Sequence, residues 1–220
     1  ISNCSQMIDD FQHKIKIKTD NHRILFNPVD IERIYAGISE RFEQAENRDK
    51  CVHFVSVGRL SYEKGYDRLF EALSNSPLSI DWRLDIIGEG AYRRALEELI
   101  KRYKLEMNVF LIGYESNPWK RAAHADCLLL PSRWEGMPNV VLEGFACGIP
   151  AIAMQEAGGI VDIRKFTDEQ SLKIVDTIEA FVAEMEKVVI APKTGRASSI
   201  LPEQFMLPKI IRDFENILRG

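Results

Sequence analysis

The sequence lacks both the long apolar runs of a membrane protein and the basic excess of a nucleic-acid-binding protein. No apolar run approaches the roughly 18 residues that a membrane-spanning helix needs. The 29 lysines and arginines are outnumbered by 33 acidic residues, which gives a net charge of −4 and disfavours bulk attraction to nucleic acid. There is also no internal repeat and no low-complexity tract. We therefore expect a globular domain that neither spans a membrane nor binds nucleic acid.

Cysteine is scarce, and its spacing excludes the common metal and disulfide patterns. The chain has four cysteines, Cys4, Cys51, Cys127 and Cys147, with no Cys-x-x-Cys pair among them. No histidine lies near any of them at the spacing of zinc ligands, so the sequence predicts no metal site. We expect four reduced thiols, three of them buried, in a reducing compartment.

Short apolar runs alternate with amphipathic segments through the middle of the chain. The runs predict buried strands over residues 51–57, 84–87, 108–112, 127–130 and 151–154. Between them, apolar residues at helical spacing predict helices over 66–73, 91–103 and 119–125, and another from Asn139. Strands joined by helical crossovers indicate an α/β fold with a Rossmann-like, doubly wound parallel sheet.

The two ends of the chain are less regular. We predict short strands over residues 14–17 and 23–26, then a helix and charged linker over 30–45. Beyond the last central strand we predict a strand over 172–175, a helix over 178–189 and a loop over 191–202. Residues 203–218 are predicted to close the chain as a helix that is interrupted or started at Pro208.

The segment RWEGMPNVVLEGFACGIP, residues 133–150, places Glu135 and Glu143 eight positions apart around a predicted helix start. Asn139 is a natural N-cap, and a helix that begins there leaves backbone N–H groups and a positive dipole end facing the loop. Such a terminus binds phosphate, while carboxylates accept hydrogen bonds from sugar hydroxyls. On spacing alone, however, two chance surface carboxylates are the favoured interpretation.

Three further loops follow predicted strands, at the edge of a parallel sheet where ligands bind. In Gly58–Gly65, GRLSYEKG, Arg59 and Lys64 could neutralise a diphosphate without a metal, although each alone is better explained as a surface charge. The glycines of GEG, residues 88–90, and of Gly113-Tyr114 are best explained as tight turns. The Gly158-Gly159 pair is better placed to bring backbone N–H groups against a phosphate or sugar.

These motifs together resemble a known family. Read in order, GRLSYEKG, LDIIGEG, VFLIGY, ADCLLLPSRWEGMPNVVLEGFACGIPAIA and the later GG are similar to the C-terminal, donor-binding domain of the retaining GT-B glycosyltransferases of family 4, the glycosyl transferases group 1. The resemblance covers residues 52–162. Upstream, the sequence NPVD, residues 27–30, resembles the segment that enters this domain from the N-terminal one.

The resemblance implies a site for a nucleoside-diphosphate sugar, with UDP or GDP as the nucleotide and neither cofactor nor metal. Arg59 and Lys64 would bind the diphosphate, Glu143 the ribose hydroxyls and Glu135 the transferred sugar, so that Arg59, Lys64 and Glu135 are the expected catalytic residues. The remaining donor-binding residues that it implies are Gly58, Gly88, Gly113, Tyr114, Gly136, Met137, Pro138, Asn139 and Val140.

The family pattern also implies a domain organisation and a setting. Residues 1–30 would be the tail of an N-terminal domain and a linker, 31–202 the Rossmann-like domain and 203–220 the closing helix. Such a chain would hold the donor but transfer little sugar alone, since the N-terminal domain binds the acceptor, a glycan or glycolipid. The expected location is the cytoplasm, or the inner face of the membrane for the full-length protein.

Two other functions compete with this one, and the chain departs from the family at two places. The alternatives are a sugar-nucleotide epimerase or phosphorylase-like GT-B relative, and a non-catalytic nucleotide-binding module. Asp162 stands where the family commonly has glutamate, and residues 168–175 replace a glycine-rich turn and apolar strand.

Overall fold

A computed structural model describes residues 1–14, 16, 23–38, 51–190 and 198–219. These residues contain a six-stranded sheet in the order β3-β2-β1-β4-β5-β6, in which every neighbouring pair is parallel. The strands are β1 Val52–Val57, β2 Trp82–Ile87, β3 Val109–Gly113, β4 Cys127–Leu130, β5 Ala151–Met154 and β6 Leu172–Val175. This is the strand order of a Rossmann fold.

Helices cover both faces of the sheet. They are α1 Ser5–His13, α2 Ile31–Ile38, α3 Tyr66–Asn75, α4 Arg93–Arg102, α5 Trp119–Ala122, α6 Asn139–Ala146, α7 Ile160–Arg164, α8 Ile178–Met185 and α9 Leu207–Arg219, with 3₁₀ turns at Tyr62–Lys64 and Glu203–Phe205. One apolar core joins the sheet to α3, α4 and α8, and the other joins it to α2, α6 and α7. The central strands β4 and β5 are buried at every residue, which explains why CLLL and AIAM are continuously apolar.

The order of the strands fixes where a ligand can bind. Chain order runs outward from β1 through β2 to β3 on one side, and from β4 through β5 to β6 on the other. At the point between β1 and β4, the two following connections leave the carboxyl ends in opposite directions and open a crevice. The loops that flank it are 58–65 after β1 and 131–138 after β4, named here the β1 loop and the β4 loop.

The predicted fold is confirmed, and so are the five central strands and the strand over 172–175. The two predicted strands near the start are wrong where they fall on described residues. Lys14 closes the helix α1, and in the segment 23–26 only an isolated bridge joins Ile24 to Ser2. Residues 15 and 17, like most of the predicted linker and of the loop over 191–202, lie outside the described residues. The closing helix starts at Leu207, so Pro208 falls in its first turn, where proline is tolerated.

Two further expectations concern the cysteines and the membrane. Cys4, Cys127 and Cys147 are buried thiols and Cys51 is half-buried, as predicted.

Across the described part of the chain, no helix has the length and apolar character that crossing a membrane requires.

Candidate nucleotide-sugar site

A largely buried ion pair joins the two loops across the crevice. The Nζ atom of Lys64 lies 2.7 Å from Oε1 of Glu135, and both side chains are only 16% exposed. Ser132, which is fully buried, donates a second hydrogen bond of 2.7 Å from its Oγ to the same oxygen. The structure thus brings together two residues that lie 71 positions apart in the sequence, and both had been predicted for the site.

The β1 loop is shaped by its two glycines. Gly65 has a φ of 70°, and a Cβ there would lie 2.0 Å from the carbonyl oxygen of Pro131 in the β4 loop. At Gly58, a Cβ would come within 2.9 Å of the Lys64 Cε, so the missing side chain leaves room for Lys64. Arg59, between them, is exposed and forms no ion pair with the described residues. Its guanidinium is therefore available to an anion at the rim of the crevice.

Two arginines connect the β4 loop to the β1 loop and to α3. The amide of Arg133 donates to the carbonyl of Glu63 over 2.7 Å, and its guanidinium donates to both carboxylate oxygens of Asp67. Arg68, on α3, donates to the carbonyl oxygens of Pro131 and Ser132. These bonds fix the spacing of the crevice before any ligand arrives, which reduces the entropy lost on binding.

The start of α6 differs from the prediction. Pro138 occupies the N-cap position, and Asn139 is the first helical residue. The Asn139 side chain does not cap the helix; its Oδ1 accepts a hydrogen bond of 2.8 Å from Asn27. The amides of Asn139 and Val141 donate to the carbonyls of Met137 and Pro138, so these two N–H groups are already paired within the turn. Anion binding at this terminus would therefore rely on fewer free amides than the sequence indicated.

The other residues of the β4 loop divide between core and crevice. The side chain of Met137 is 7% exposed and packs into the core, and Pro138 is also buried. Gly136 is exposed, with no atom within 4 Å of a Cβ built there, and Val140 is half-buried. Because the side chains of Met137 and Pro138 are buried, these two residues could contact a ligand only through their backbone atoms. At Gly136, the missing side chain leaves open space for a ligand.

Glu143 lies on α6 and accepts a hydrogen bond from a side chain of α5. The Nε1 of Trp119 donates to Glu143 Oε2 over 3.1 Å, which leaves the second carboxylate oxygen available. Burial raises the pKa of Glu143 above its ordinary value, against the opposing effects of this hydrogen bond and of the charge of Arg33. A half-buried carboxylate anchored through one oxygen is suited to accept hydrogen bonds from hydroxyl groups.

The remaining glycines act through close backbone contacts. Gly88, at a φ of 147°, donates its amide to Gly113, and a Cβ there would lie 1.9 Å from the Gly58 carbonyl oxygen. Gly113 has a φ of 93°, and Tyr114 beyond it is 77% exposed. Gly113 is the last residue of β3, and Gly88 forms an isolated bridge to it. The interpretation as tight turns, favoured from the sequence alone, is therefore wrong; the glycines are explained by their positive φ angles and, at Gly88, by the close approach of the Gly58 carbonyl.

The Gly158-Gly159 pair supports the β4 loop. The amide of Gly159 donates to the Gly136 carbonyl over 2.7 Å, and a Cβ on Gly158 would lie 2.0 Å from the Glu135 carbonyl oxygen. The Gly159 amide is therefore not free for a phosphate or sugar, while the same prediction for the Gly158 amide stays a prediction. Asp162 is also turned inward, where it accepts hydrogen bonds from Ser5 and Lys165.

Sequence reasoning missed Ser132 and Trp119, the residues that orient the two glutamates. Ser132 lies three positions before Glu135, but a single serine in an apolar run carries no distinctive signal. Trp119 reaches Glu143 from a different helix, and no local pattern relates the two. The Trp119 contact depends on the tertiary arrangement, whereas the Ser132 contact is local and depends on the conformation of the β4 loop.

Comparison with known proteins decides the family. A sequence model described as glycosyl transferases group 1 matches residues 37–198, most of the chain. The chain belongs to this family. Its relatives include the N-acetylgalactosamine-N,N'-diacetylbacillosaminyl-diphospho-undecaprenol 4-alpha-N-acetylgalactosaminyltransferase of Campylobacter jejuni, which is 30% identical over 77% of this chain and 44% of its own length. The lipopolysaccharide 1,6-galactosyltransferase of Salmonella typhimurium is 27% identical over 92% of this chain and 54% of its own.

Solved structures share the fold. The apo form of the lipopolysaccharide outer core galactosyltransferase WaaB has a TM-score of 0.76 at 23% identity, and the match covers 99% of this chain and 60% of that one. HepE of Anabaena in complex with UDP also has a TM-score of 0.76, at 20% identity, over 99% of this chain and 62% of that one. The chain thus spans about half the length of the curated relatives described above and about three fifths of these two structures.

Proposed function

We propose that the crevice between β1 and β4 binds a nucleoside-diphosphate sugar for retaining transfer of the sugar to an acceptor hydroxyl, as in family 4 of the GT-B enzymes. The observation that carries the proposal is the Lys64–Glu135 ion pair, which places a cation and a carboxylate together at the switch point of the sheet. A cation suits the diphosphate, and a carboxylate suits sugar hydroxyls. Membership of the glycosyl transferases group 1 family supports the same match of cation to diphosphate and carboxylate to sugar.

The proposed roles follow from charge and position. Arg59 and Lys64 bind the diphosphate, Glu143 accepts hydrogen bonds from the ribose, and Glu135 contacts the transferred sugar. Gly58, Gly88 and the backbone of residues 136–140 line the path of the donor, with Gly113 and Tyr114 beside the base. UDP is the nucleotide that we favour, because solved structures of the same fold contain it.

In the proposed reaction, the bond between the anomeric carbon and the β-phosphate oxygen breaks, and the acceptor oxygen forms a bond to the same carbon. The acceptor proton moves to the departing diphosphate, which leaves from the face that the acceptor attacks. Positive charge from Arg59 and Lys64 stabilises the diphosphate as its negative charge grows. Glu135 is given no nucleophilic role, since the two-carboxylate mechanism of glycoside hydrolysis does not apply.

The acceptor would be a glycan or glycolipid, held partly by chain beyond these 220 residues, so that this chain alone would transfer little sugar. The relatives that act on lipopolysaccharide and on a diphospho-undecaprenol substrate support this class of acceptor. A cytoplasmic location, or one peripheral to the inner face of the membrane, fits such a substrate.

Calorimetric titration of the chain with UDP, GDP and ADP in the presence of EDTA tests the proposal. We expect binding of at least one nucleotide, and a loss of at least about tenfold in affinity for Arg59→Ala, because a charge-assisted bidentate contact is lost. Arg102→Ala is the matched control, since Arg102 is exposed at the C-terminal end of α4, the end farther from the β1 loop. Absence of binding to all three nucleotides by the wild-type chain would refute the proposal.

A further inference from the structure

Two exposed aromatic side chains, Tyr62 and Trp134, and the half-buried Tyr92 form a surface beside the proposed donor site, named here the aromatic platform. The ring of Tyr62 lies 6.0 Å from that of Trp134, at an angle of 57°, and 6.5 Å from that of Tyr92, at 88°. Tyr62 is 51% exposed and Trp134 54%. Large aromatic rings gain more than most side chains from burial, so a cluster left open to solvent indicates a binding surface.

The platform is held in place by Arg133. Its guanidinium carbon lies 3.9 Å from the centre of the Tyr62 ring, and its Nη1 donates to the Tyr62 carbonyl over 2.7 Å. The same guanidinium is fixed by both oxygens of Asp67, at 2.7 and 2.8 Å. Since the Tyr62 ring is fixed before binding, little of its conformational entropy remains to be lost when a ligand stacks on the platform.

The platform is continuous with the proposed donor site. Trp134 directly precedes Glu135, and Tyr62 lies two residues before Lys64 and three after Arg59. Consecutive Cα atoms are about 3.8 Å apart, so the Cα atoms of Tyr62 and Trp134 lie within about 8 Å of those of Lys64 and Glu135, respectively. A molecule stacked on the platform would therefore lie at the rim of the crevice that holds the donor.

The chemistry of this surface suits a sugar ring. One face of a pyranose presents C–H groups of slight positive charge, which lie favourably against the negative face of an aromatic ring. Hydroxyls at its edge need hydrogen-bond partners, and the Glu63 carboxylate, next to Tyr62, can accept from them. Arg133 and Asp67 are already bonded to each other. The platform's nearby charges are mixed, with Arg59 and Arg133 beside Glu63 and Asp67. A surface for anionic lipid would instead carry a basic excess.

We propose that the aromatic platform binds a sugar ring of the acceptor glycan, next to the donor. The inference rests on the proposed function, because an acceptor subsite has meaning only beside a site that transfers sugar. Neither Trp134 nor Tyr62 is needed for nucleotide binding in this arrangement. The two sites can therefore be separated by mutation.

An NMR titration of the isotope-labelled chain with maltose, lactose and N,N'-diacetylchitobiose at millimolar concentrations tests the platform. The chain has three tryptophans, and the indole N–H signal that disappears in Trp134→Phe identifies Trp134. We expect this signal to shift with at least one disaccharide, and affinity to fall at least about tenfold in Trp134→Ala. Trp134→Phe keeps a flat ring and should retain most of the affinity. The matched control is Phe214→Ala, which removes an aromatic ring that is 42% exposed on α9.

UDP calorimetry on the same variants separates this inference from the proposed function. We expect Trp134→Ala to bind UDP as the wild type does. If the wild-type chain binds UDP but none of the disaccharides, or binds them equally well without Trp134, the platform proposal is overturned and the donor site stands. Disaccharide binding without nucleotide binding would overturn the proposed function and the acceptor assignment together. Trp134-dependent binding to phosphatidylglycerol vesicles, in place of disaccharides, would also overturn the platform proposal.

Discussion

Lys64 and Glu135 neutralise each other across the crevice, so an incoming diphosphate must compete with a carboxylate for the lysine. Glu135 also repels the diphosphate directly, because both are negative. We therefore expect Glu135→Gln to strengthen UDP binding by about 1 kcal/mol, or roughly fivefold, while weakening the preference for UDP-sugar over UDP.

Calorimetry with UDP measures this change. Glu156→Gln serves as the control, since Glu156 pairs with Arg68 on the outer side of the β4 loop and its removal leaves the Lys64–Glu135 pair intact. Weaker UDP binding by Glu135→Gln would show that the carboxylate positions Lys64 for the nucleotide instead of competing with it.

Gly158 and Gly136 offer a test of how tightly the β4 loop is packed. Gly158 has a φ of 54°, and a Cβ there would lie 2.0 Å from the Glu135 carbonyl oxygen, whereas a Cβ on Gly136 meets nothing within 4 Å. Gly158→Ala should lower the free energy of unfolding by more than about 2 kcal/mol, from backbone strain and overlap. Gly136→Ala should change it by less than about 0.5 kcal/mol. Urea unfolding of both variants measures the difference, and equal losses would contradict the described contact.

At the scale of elements, the sequence predicted what local patterns determine. The runs CLLL and AIAM indicated β4 and β5 because helices bury both of their faces. The helix α1 was not predicted, because its start depends on a contact between distant parts of the sequence. Its N-terminal amide at Ser5 is satisfied by Asp162, 157 residues away, and the N-cap residue Cys4 makes no side-chain cap bond. The period-two pattern KIKI then favoured a strand over residues 14–17.

The candidate site shows the same difference between features that local patterns predict and features that depend on long-range contacts. The pattern alone favoured chance surface charges at Arg59, Lys64, Glu135 and Glu143, and only the resemblance to the family assigned them to the site. The pairing of Lys64 with Glu135, the bond from Asn27 to Asn139 and the loss of the Gly159 amide all depend on contacts between distant segments. No rule on neighbouring residues contains this information.

The last helix, α9, packs through a narrow part of its apolar face. Ile210 is 6% exposed, while its neighbour Ile211 is 48% exposed and Phe214 and Leu218 are also open to solvent. We expect Ile210→Ala to lower the free energy of unfolding by about 2 to 3 kcal/mol through the cavity it leaves. Ile211→Ala should have an effect within about 0.5 kcal/mol, since little burial is lost and alanine favours the helix. Thermal or urea unfolding checks the pair; a large loss for Ile211→Ala would mean that the exposed stripe is covered in solution.

For the molecule as a whole, two apolar cores hold the sheet between them, and one buried charge lies on the sheet itself. Asp85, on β2, has a side chain that is 1% exposed. It lies 2.7 Å from Arg83 of the same strand, 3.2 Å from His53 of β1 and 3.2 Å from Arg121 of α5. The carboxylate therefore connects three elements, and its charge state affects how they hold together.

Burial alone would raise the pKa of Asp85, but the contacts with His53 and Arg83 outweigh it and lower the pKa from 3.8 to about 2. Because the folded chain then binds fewer protons than the unfolded chain, this contribution to stability is complete above pH 3.8. It is lost as the pH falls from there towards about 2. The shift corresponds to about 2 kcal/mol. Asp85→Asn removes this titration, so the gap in unfolding free energy between wild type and variant should narrow by that amount over this pH range. Urea unfolding at a series of pH values measures the gap, and a gap that stays constant would show that Asp85 does not draw its stability from its charge.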